Sequence, residues 1–394
     1  MYHLERVRDR AQAYIDARDY SSLEWHIEQG GRTLSEGQVG LADANTGAAL
    51  PRDPIYRIFS MTKPLVSAVG VMLLDEGKLR LSDPVGAYLP KFAQMQVMDA
   101  DGNVSDARNA MLVEHLFTHR SGISYQWQQG NPVAALYREQ VKFGDEHSLA
   151  EMIDSLADVP LFAEPGTRWH YSFSTDVLGH LIAVIEGKPL AKVLHERIFA
   201  PLGMVDTAFH VPQDKRERLL PVFGEAVLTP GVAAAPRAAG DGVLHYGAPY
   251  MIYPADRPGF ERGGLGLFST LADYTKAARF LLTGTDGQGI RMISASGICA
   301  LWTNRLPAEQ VPISIGNLPK YYGYGYGLGG RVMVHPNQAC FYGPAGECGW
   351  EGAATTYFWL DPENDITGVV MSQYLGQKMP VCEDIRHAFY QSLA

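Results

Sequence analysis

Residues 60–77 read SMTKPLVSAVGVMLLDEG and place a serine and a lysine three positions apart at the start of a long apolar segment. The apolar positions recur with helical periodicity, a proline occupies a site that the first turn tolerates, and the closing glycine is a typical C-terminal stop. The segment therefore predicts a largely buried helix over residues 61–76. A spacing of three puts Ser60 and Lys63 on the same helical face.

The pair formed by Ser60 and Lys63 has the form of a nucleophile and its base. A lysine one turn into an apolar helix is partly desolvated, which lowers its pKa toward base function, and the positive end of the helix dipole favours an alkoxide on the serine. S-x-x-K occurs roughly once by chance in a chain of this length. For the motif alone, an N-cap serine followed by a solvated lysine stays open as the alternative.

Strand patterns lie near the two ends of the chain, and helical patterns fill the middle. This order predicts an α+β protein in which residues 1–80 and 243–394 form a lobe with an antiparallel sheet flanked by terminal helices, and residues 81–242 form an inserted, mainly helical lobe. The stretch from Gly224 to Gly242, rich in Ala, Gly and Pro, is predicted to be an irregular connection. The predicted strands are a hairpin over residues 23–42 and runs at 324–334, 353–360 and 366–373, and the predicted helices cover 4–18, 61–76, 111–118, 149–157, 176–186, 189–199 and 381–393.

Composition and charge exclude several classes of protein. The chain has 394 residues, of which 46% are apolar and 19% charged, and its net charge is -10. No run approaches the roughly 18 apolar residues of a membrane helix, and no basic stripe is present, so a membrane span and a nucleic-acid partner are not expected. The four cysteines have no zinc-site spacing and no cofactor is expected, while charged residues from the start of the chain indicate a cytoplasmic protein.

Two further segments carry chemistry-bearing residues. Residues 165–174 read PGTRWHYSFS and precede a predicted helix, so Tyr171 lies on a loop from which its side chain can enter a cleft. Residues 349–353 read GWEGA, where small residues allow close approach to a strand whose backbone N–H groups can stabilise an oxyanion. Taken singly, a buried tyrosine with a satisfied hydroxyl and an ordinary strand entry are the alternatives.

Taken jointly, these segments resemble the penicillin-recognising superfamily of serine β-lactamases, and within it the class C β-lactamase-like family VIII carboxylesterases. The resemblance implies a serine β-lactamase/penicillin-binding-protein-like fold with the active site between the lobes. It implies that Ser60 is the acylated nucleophile, that Lys63 and Tyr171 share general-base and general-acid work, and that the N–H groups of Ser60 and Ala353 form the oxyanion hole. The matching segments are residues 58–63, 79–85, 116–123, 165–172 and 349–352.

Two departures from that family bear on the substrate. Where β-lactamases have Tyr-x-Asn, this chain has Phe173 in place of the asparagine, and where they have Lys-Thr-Gly it has Trp350-Glu351-Gly352. Both changes remove groups that would bind an anionic β-lactam, and both favour a neutral small-molecule ester. The residues expected to bind substrate are Phe173, Trp350, Gly352, Tyr125 and Trp127.

The leading hypothesis is therefore a carboxylesterase that acts on small to medium acyl esters. The same acyl-enzyme would also serve an acyltransferase or a hydrolase of amides or β-lactams, and the sequence does not separate these. A non-catalytic ligand sensor with this fold predicts erosion of the nucleophile, base or oxyanion segment, and none is missing. A Ser-His-Asp enzyme would need a nucleophile elbow, which the chain lacks.

Overall fold

The computed structural model describes residues 4–128, 131–224, 244–247, 252–316, 320–340, 343–376 and 380–393. Within them the strands are β1 (Ser22–Gln29), β2 (Arg32–Gly40), β3 (Tyr56–Arg57), β4 (Gln96–Met98), β5 (Val104–Asp106), β6 (Phe223–Gly224), β7 (Phe268–Ser269), β8 (Tyr324–Tyr326), β9 (Arg331–Met333), β10 (Cys348–Gly352), β11 (Thr356–Asp361), β12 (Ile366–Met371) and β13 (Tyr374–Leu375). Seven of them form one antiparallel sheet in the order β2-β1-β12-β11-β10-β9-β8. Both ends of the chain thus contribute to the same sheet.

Helices occupy the chain before, between and after these strands. In the same residues they are α1 (Glu5–Asp16), α2 (Thr62–Asp75), α3 (Val113–Phe117), α4 (Ala134–Gln140), α5 (Leu149–Leu156), α6 (Ser174–Glu186), α7 (Leu190–Leu194), α8 (Ala200–Leu202), α9 (Leu271–Thr283), α10 (Ala295–Trp302) and α11 (Val381–Ser392). A π-helical turn over residues 195–199 joins α7 to α8. No helix of the described ranges is both long and apolar enough to cross a membrane.

The large sheet is covered by helices on both faces. Side chains alternate between the two faces along each strand, so Trp359 and Val370 pack with α1 and α11, whereas Phe358 packs with Tyr274 of α9 at a ring distance of 5.4 Å. Burial on both sides explains why β11 and β12 are rich in apolar residues and do not alternate between apolar and polar positions.

A second hydrophobic core is separate from the one in which the sheet packs with α1 and α11. Helix α2 lies in this second core and is buried over residues 62–73. It packs against α6 and α10, and its Gly70 lets α2 approach α3 closely, because a Cβ there would lie 2.5 Å from the ring of Phe117. A helix enclosed in this way gives the residues at its N-terminus a fixed position.

The predicted α+β organisation and its antiparallel sheet are confirmed. Residues 324–334, predicted as one strand, instead form β8 and β9, because a turn closed by a 2.8 Å hydrogen bond from Gly327 N–H to the Gly330 carbonyl reverses the chain. Residues 348–352 form the separate strand β10, whereas the sequence predicted them as the entry to the strand at 353–360. Strands β4 and β5 form a small hairpin that the sequence did not predict. The predicted connection at 224–242 lies outside the described residues from position 225 onward, and the division into two lobes stays a prediction.

Candidate active site

Ser60 is held at the entrance of α2 by an unusual backbone conformation. The preceding residue, Phe59, has φ = +43°, a region that bulky side chains rarely occupy and that persists only where surrounding contacts hold it. Its N–H donates to the hydroxyl of Tyr253 at 3.3 Å, and that hydroxyl donates to the carbonyl of Leu267 at 2.6 Å. These contacts fix the turn that presents the Ser60 side chain.

Lys63 is the first titratable group beside Ser60. Its Nζ donates to Ser60 Oγ at 3.0 Å and to the carbonyl of Gly264 at 2.5 Å, while only 2% of the residue is exposed. Burial lowers the pKa of Lys63 to about 7, although the nearby carboxylate of Asp176 opposes the shift. A substantial fraction of the amine is therefore neutral at physiological pH and able to accept a proton.

Tyr171 is the second titratable group beside Ser60. It lies on the loop that leads into α6, and its hydroxyl donates to Ser60 Oγ at 2.8 Å. The Nζ of Lys63 lies 4.6 Å from the centre of its ring. Burial raises the pKa of the Tyr171 phenol, so the resting side chain is a neutral proton donor. The structure thus brings the three predicted catalytic residues together around one oxygen atom.

Two residues that the sequence analysis assigned no role, Gln128 and His119, hold the Tyr171 loop in place. The side-chain amide of Gln128 donates to the carbonyl of Tyr171, the backbone N–H of Ser172 donates to His119 Nδ1 at 3.3 Å, and the imidazole of His119 lies 4.7 Å from the Tyr171 ring. His119 belongs to the matched segment 116–123, so the resemblance pointed to its neighbourhood without giving its contact. Gln128 carried no sequence signal.

Asp176 is a further residue that the sequence analysis missed. It is fully buried in the first turn of α6, where its Oδ1 accepts a 3.0 Å hydrogen bond from the Gly264 N–H. Its negative charge raises the pKa of Lys63. It thereby reduces the fraction of the Lys63 amine that is neutral. An aspartate in the first turn of a helix is common, so residue type and position alone did not distinguish it.

The last residues of β10 lie against the nucleophile segment. A Cβ on Gly352 would lie 2.3 Å from the carbonyl oxygen of Ile58 and 2.2 Å from Thr356 Oγ1. The absent side chain therefore lets β10 approach the Ser60 segment, and the substrate-binding role of Gly352 stays a prediction. Among the described residues β9 pairs only with Cys348 and Gly349 of β10, so that part of the chain places no strand beside the rest of β10 on this side. The half-buried Ala353 follows β10 in a turn. The oxyanion-hole assignment stays a prediction.

Aromatic rings form the surroundings of Tyr171. Phe173 packs edge-on against Tyr125 at 4.2 Å, Tyr125 lies 5.4 Å from Tyr171, and Trp127 stacks on Tyr125 at 5.1 Å. Trp350 lies 5.7 Å from Tyr171 on the strand side. Phe173 and Trp350 are 5% and 1% exposed, so each offers little surface to a ligand in this conformation, and their substrate-binding role stays a prediction.

These features define a buried Ser-Lys-Tyr site at the N-terminus of a core helix, beside a sheet made from both chain ends. No group of three or more His, Cys, Asp or Glu side chains within the described parts of the chain is placed to hold a metal ion. The chain belongs to the Beta-lactamase family, whose sequence model matches residues 7–392. The predicted family and fold are thereby confirmed.

The chain is also similar to individual proteins over most of its length. Protein Rv1367c of Mycobacterium tuberculosis is 32% identical over 360 residues, which cover 90% of this chain and 85% of the relative. Esterase EstB of Burkholderia gladioli is 26% identical over 374 residues, covering 92% and 89% of the two chains. The solved structure of EstCE1, described as a hydrolase with promiscuous acyltransferase activity, has a TM-score of 0.78 at 23% identity and 98% coverage of both chains.

Proposed function

We propose that the protein is a carboxylesterase that hydrolyses neutral, small to medium esters through an acyl-enzyme on Ser60. The main support for this proposal is that the buried Lys63 amine and the buried Tyr171 phenol both contact Ser60 Oγ, at 3.0 and 2.8 Å. Similarity to Esterase EstB supports the same reaction class. A cytoplasmic location belongs to the proposal and is supported by the free thiols of Cys299, Cys340, Cys348 and Cys382.

In the acylation step, Lys63 is the base and Tyr171 the acid. The lowered pKa of Lys63 makes its neutral amine available to take the Ser60 hydroxyl proton as Oγ bonds to the acyl carbon. The raised pKa of Tyr171 keeps its proton in place until the acyl carbon–alkoxy bond breaks and the leaving oxygen takes it. The resulting acyl-enzyme contains a lysine ammonium and a tyrosinate close to each other.

Deacylation reverses these roles. An attacking water gives its proton to the Tyr171 oxygen, and the Lys63 ammonium returns a proton to Ser60 Oγ as the acyl–serine bond breaks. Both side chains recover their starting protonation states, and the acid is released. In both steps the N–H groups of Ser60 and Ala353 would stabilise the charge that develops on the carbonyl oxygen.

The proposal is tested by comparing p-nitrophenyl butyrate with a chromogenic cephalosporin. A β-lactam brings a carboxylate to a site where Phe173 and Trp350 are apolar rings, and each unpaired polar group costs about 1–3 kcal/mol, more for a charge. We expect kcat/KM for the ester to exceed that for the cephalosporin by at least about a hundredfold. Comparable values would restore β-lactam hydrolysis as the leading function.

A second experiment identifies the nucleophile by labelling the protein with a fluorophosphonate and mapping the adduct by mass spectrometry. Wild-type protein and the Ser67→Ala control, altered two turns further along α2, should be labelled on Ser60, and Ser60→Ala should lose both labelling and ester hydrolysis. Labelling of another serine, or full activity in Ser60→Ala, would contradict the acyl-enzyme assignment. Adding a primary alcohol to the assay and measuring the ester formed separates hydrolysis from acyl transfer.

A further inference from the structure

The indole N–H of Trp350 is a hydrogen-bond donor that is buried inside the protein. The residue lies on β10, and its Nε1 atom is buried and makes no hydrogen bond of ordinary geometry in the described part of the chain. An indole nitrogen can only donate. Leaving such a group buried without an acceptor destabilises a folded protein, so a compensating role is expected.

The group on which this donor acts is the hydroxyl of Tyr171. The two rings lie 5.7 Å apart at an angle of 46°, and the indole N–H lowers the pKa of the Tyr171 phenol, against the larger rise that burial causes. The Tyr171 hydroxyl already donates its own proton to Ser60 Oγ. Its oxygen can still accept a hydrogen bond.

We propose that Trp350 is a positioning residue for proton transfer, whose indole N–H donates to the Tyr171 oxygen when Tyr171 gives its proton to the leaving alcohol. This inference rests on the proposed function. As the acyl carbon–alkoxy bond breaks, its electron pair stays on the leaving oxygen, the Tyr171 proton moves to that oxygen, and a negative charge remains on the Tyr171 oxygen. A hydrogen bond to a charged acceptor is stronger than one to a neutral acceptor, so Trp350 makes Tyr171 a stronger acid.

This role differs from an apolar contact with substrate, which the sequence analysis expected. In the resemblance to β-lactamases, position 350 corresponds to the lysine of Lys-Thr-Gly. The indole replaces that cation with a neutral donor, which can stabilise a transient tyrosinate without attracting an anionic substrate. The near-complete burial of Trp350 agrees with a partner inside the protein rather than in the substrate.

The test depends on the leaving group of the substrate. p-Nitrophenolate leaves without needing a proton, whereas ethoxide must be protonated as it leaves. In Trp350→Phe, kcat/KM for ethyl butyrate should therefore fall at least about tenfold more than kcat/KM for p-nitrophenyl butyrate. This ratio reports acylation alone, so a slow deacylation step does not mask it. A purely structural role for Trp350 would lower both values by the same factor, and that result would overturn the inference.

Trp169→Phe is the matched control. Its indole also stacks on Tyr171, at 6.2 Å and 19°, and its Nε1 is likewise buried without a partner in the described ranges, but a stacked ring does not direct its N–H at the phenol. We expect equal factors on both esters for this variant. An extra loss on ethyl butyrate in Trp169→Phe matching that in Trp350→Phe would also overturn the assignment to Trp350.

A second substitution covers the case in which Trp350→Phe fails to fold. Benzothienylalanine at position 350 keeps the shape of tryptophan and replaces only the N–H with sulfur, and it should show the same selective loss on ethyl butyrate. Equal losses with this isostere would overturn the inference. Failure of the proposed function is distinguishable, because the wild-type enzyme would then hydrolyse neither ester.

Discussion

Lys63 illustrates how a single residue acquires its chemistry from its surroundings. A lysine in water is almost fully protonated at neutral pH and is a poor base. Here the apolar core around α2 excludes water from the amine, and the resulting pKa of about 7 is opposed only in part by the Asp176 carboxylate. The residue therefore changes protonation state within the physiological pH range.

This pKa predicts the pH dependence of the esterase. Below about pH 7 the Lys63 amine holds its proton and cannot accept one from Ser60, so kcat/KM for p-nitrophenyl butyrate should fall about tenfold per pH unit on the acid side. Lys63→Arg keeps the positive charge but stays protonated, so it should lose about 10²–10⁴ in kcat/KM, with no recovery at high pH. The exposed Lys192→Arg serves as the control. An unchanged acid limb in Lys63→Arg would exclude Lys63 as the titrating base.

At this scale the sequence predicted Ser60, Lys63 and Tyr171 as a group, because each lies in a local motif that the chain shares with a known family. His119, Gln128 and Asp176 were not given roles. Their contacts to Tyr171 and Lys63 join positions that are distant along the chain, and such contacts depend on the tertiary structure rather than on local spacing.

Among the elements, β10 shows where local patterns fail. Its sequence contains two glycines and a charged residue, so it has weak strand propensity, and it was predicted as the entry to β11. It is a separate strand because a turn over residues 353–355 reverses the chain between β10 and β11, and Gly352 lets its end lie against Ile58 of the nucleophile segment. The hairpin of β8 and β9 was predicted as one strand for a related reason, since its glycine-rich turn lies inside an aromatic run.

Strand β1 carries a buried carboxyl group that predicts pH-dependent stability. Glu24 accepts a 2.7 Å hydrogen bond from the Tyr56 hydroxyl, and burial raises its pKa from 4.5 to about 7. The folded state therefore binds a proton that the unfolded state releases between those values, so this contribution to stability is full below pH 4.5 and is lost as pH rises through about 7.

Glu24→Gln should remove that dependence. Its amide oxygen can still accept the bond from Tyr56, so we expect the variant to be more stable than wild type by about 2–4 kcal/mol at pH 8 and of similar stability at pH 4.5. Urea unfolding at the two pH values measures the difference. The exposed Glu36→Gln on β2 should change stability by less than about 0.5 kcal/mol at either pH. A destabilised Glu24→Gln at pH 8 would contradict the raised pKa of Glu24, because it would show that the folded protein stabilises the carboxylate rather than the neutral acid.

In the whole molecule, the site is assembled from three distant parts of the chain. Ser60 and Lys63 come from the segment after the N-terminal hairpin, Tyr171 comes from the mainly helical middle, and Trp350 comes from the C-terminal strands. The sequence predicted that both ends share one sheet, because strand patterns occur only near the ends. It did not predict the strand order, which depends on pairing between residues more than 300 positions apart, such as Trp25 with Val370.

A buried ion cluster around Glu347 connects the C-terminal strands to α11 and to the β8–β9 hairpin. Glu347 precedes β10 and is fully buried, and its Oε2 accepts hydrogen bonds from Arg386 Nη1 of α11 and from the Tyr324 hydroxyl of β8, both at 2.7 Å. Arg331 of β9 lies 3.5 Å from the other carboxylate oxygen. One carboxylate thus joins the C-terminal helix to the hairpin whose Tyr326 ring packs against Trp350 at 5.1 Å.

Removing this charge should destabilise the whole protein. Glu347→Gln would leave two guanidinium groups buried without their anion, and breaking a buried pair in this way costs about 3–5 kcal/mol, because the desolvation of the remaining charges is no longer compensated. Chemical unfolding should show this loss, whereas Asp154→Asn, which removes a carboxylate 3.9 Å from Lys91 on the exposed surface, should change stability by less than about 0.5 kcal/mol. Similar small effects in both variants would contradict a stabilising role for the cluster. Because α11 and the β8–β9 hairpin are held by the same carboxylate, kcat/KM for ethyl butyrate should fall in any folded Glu347→Gln protein as the Tyr326 and Trp350 rings lose their fixed positions.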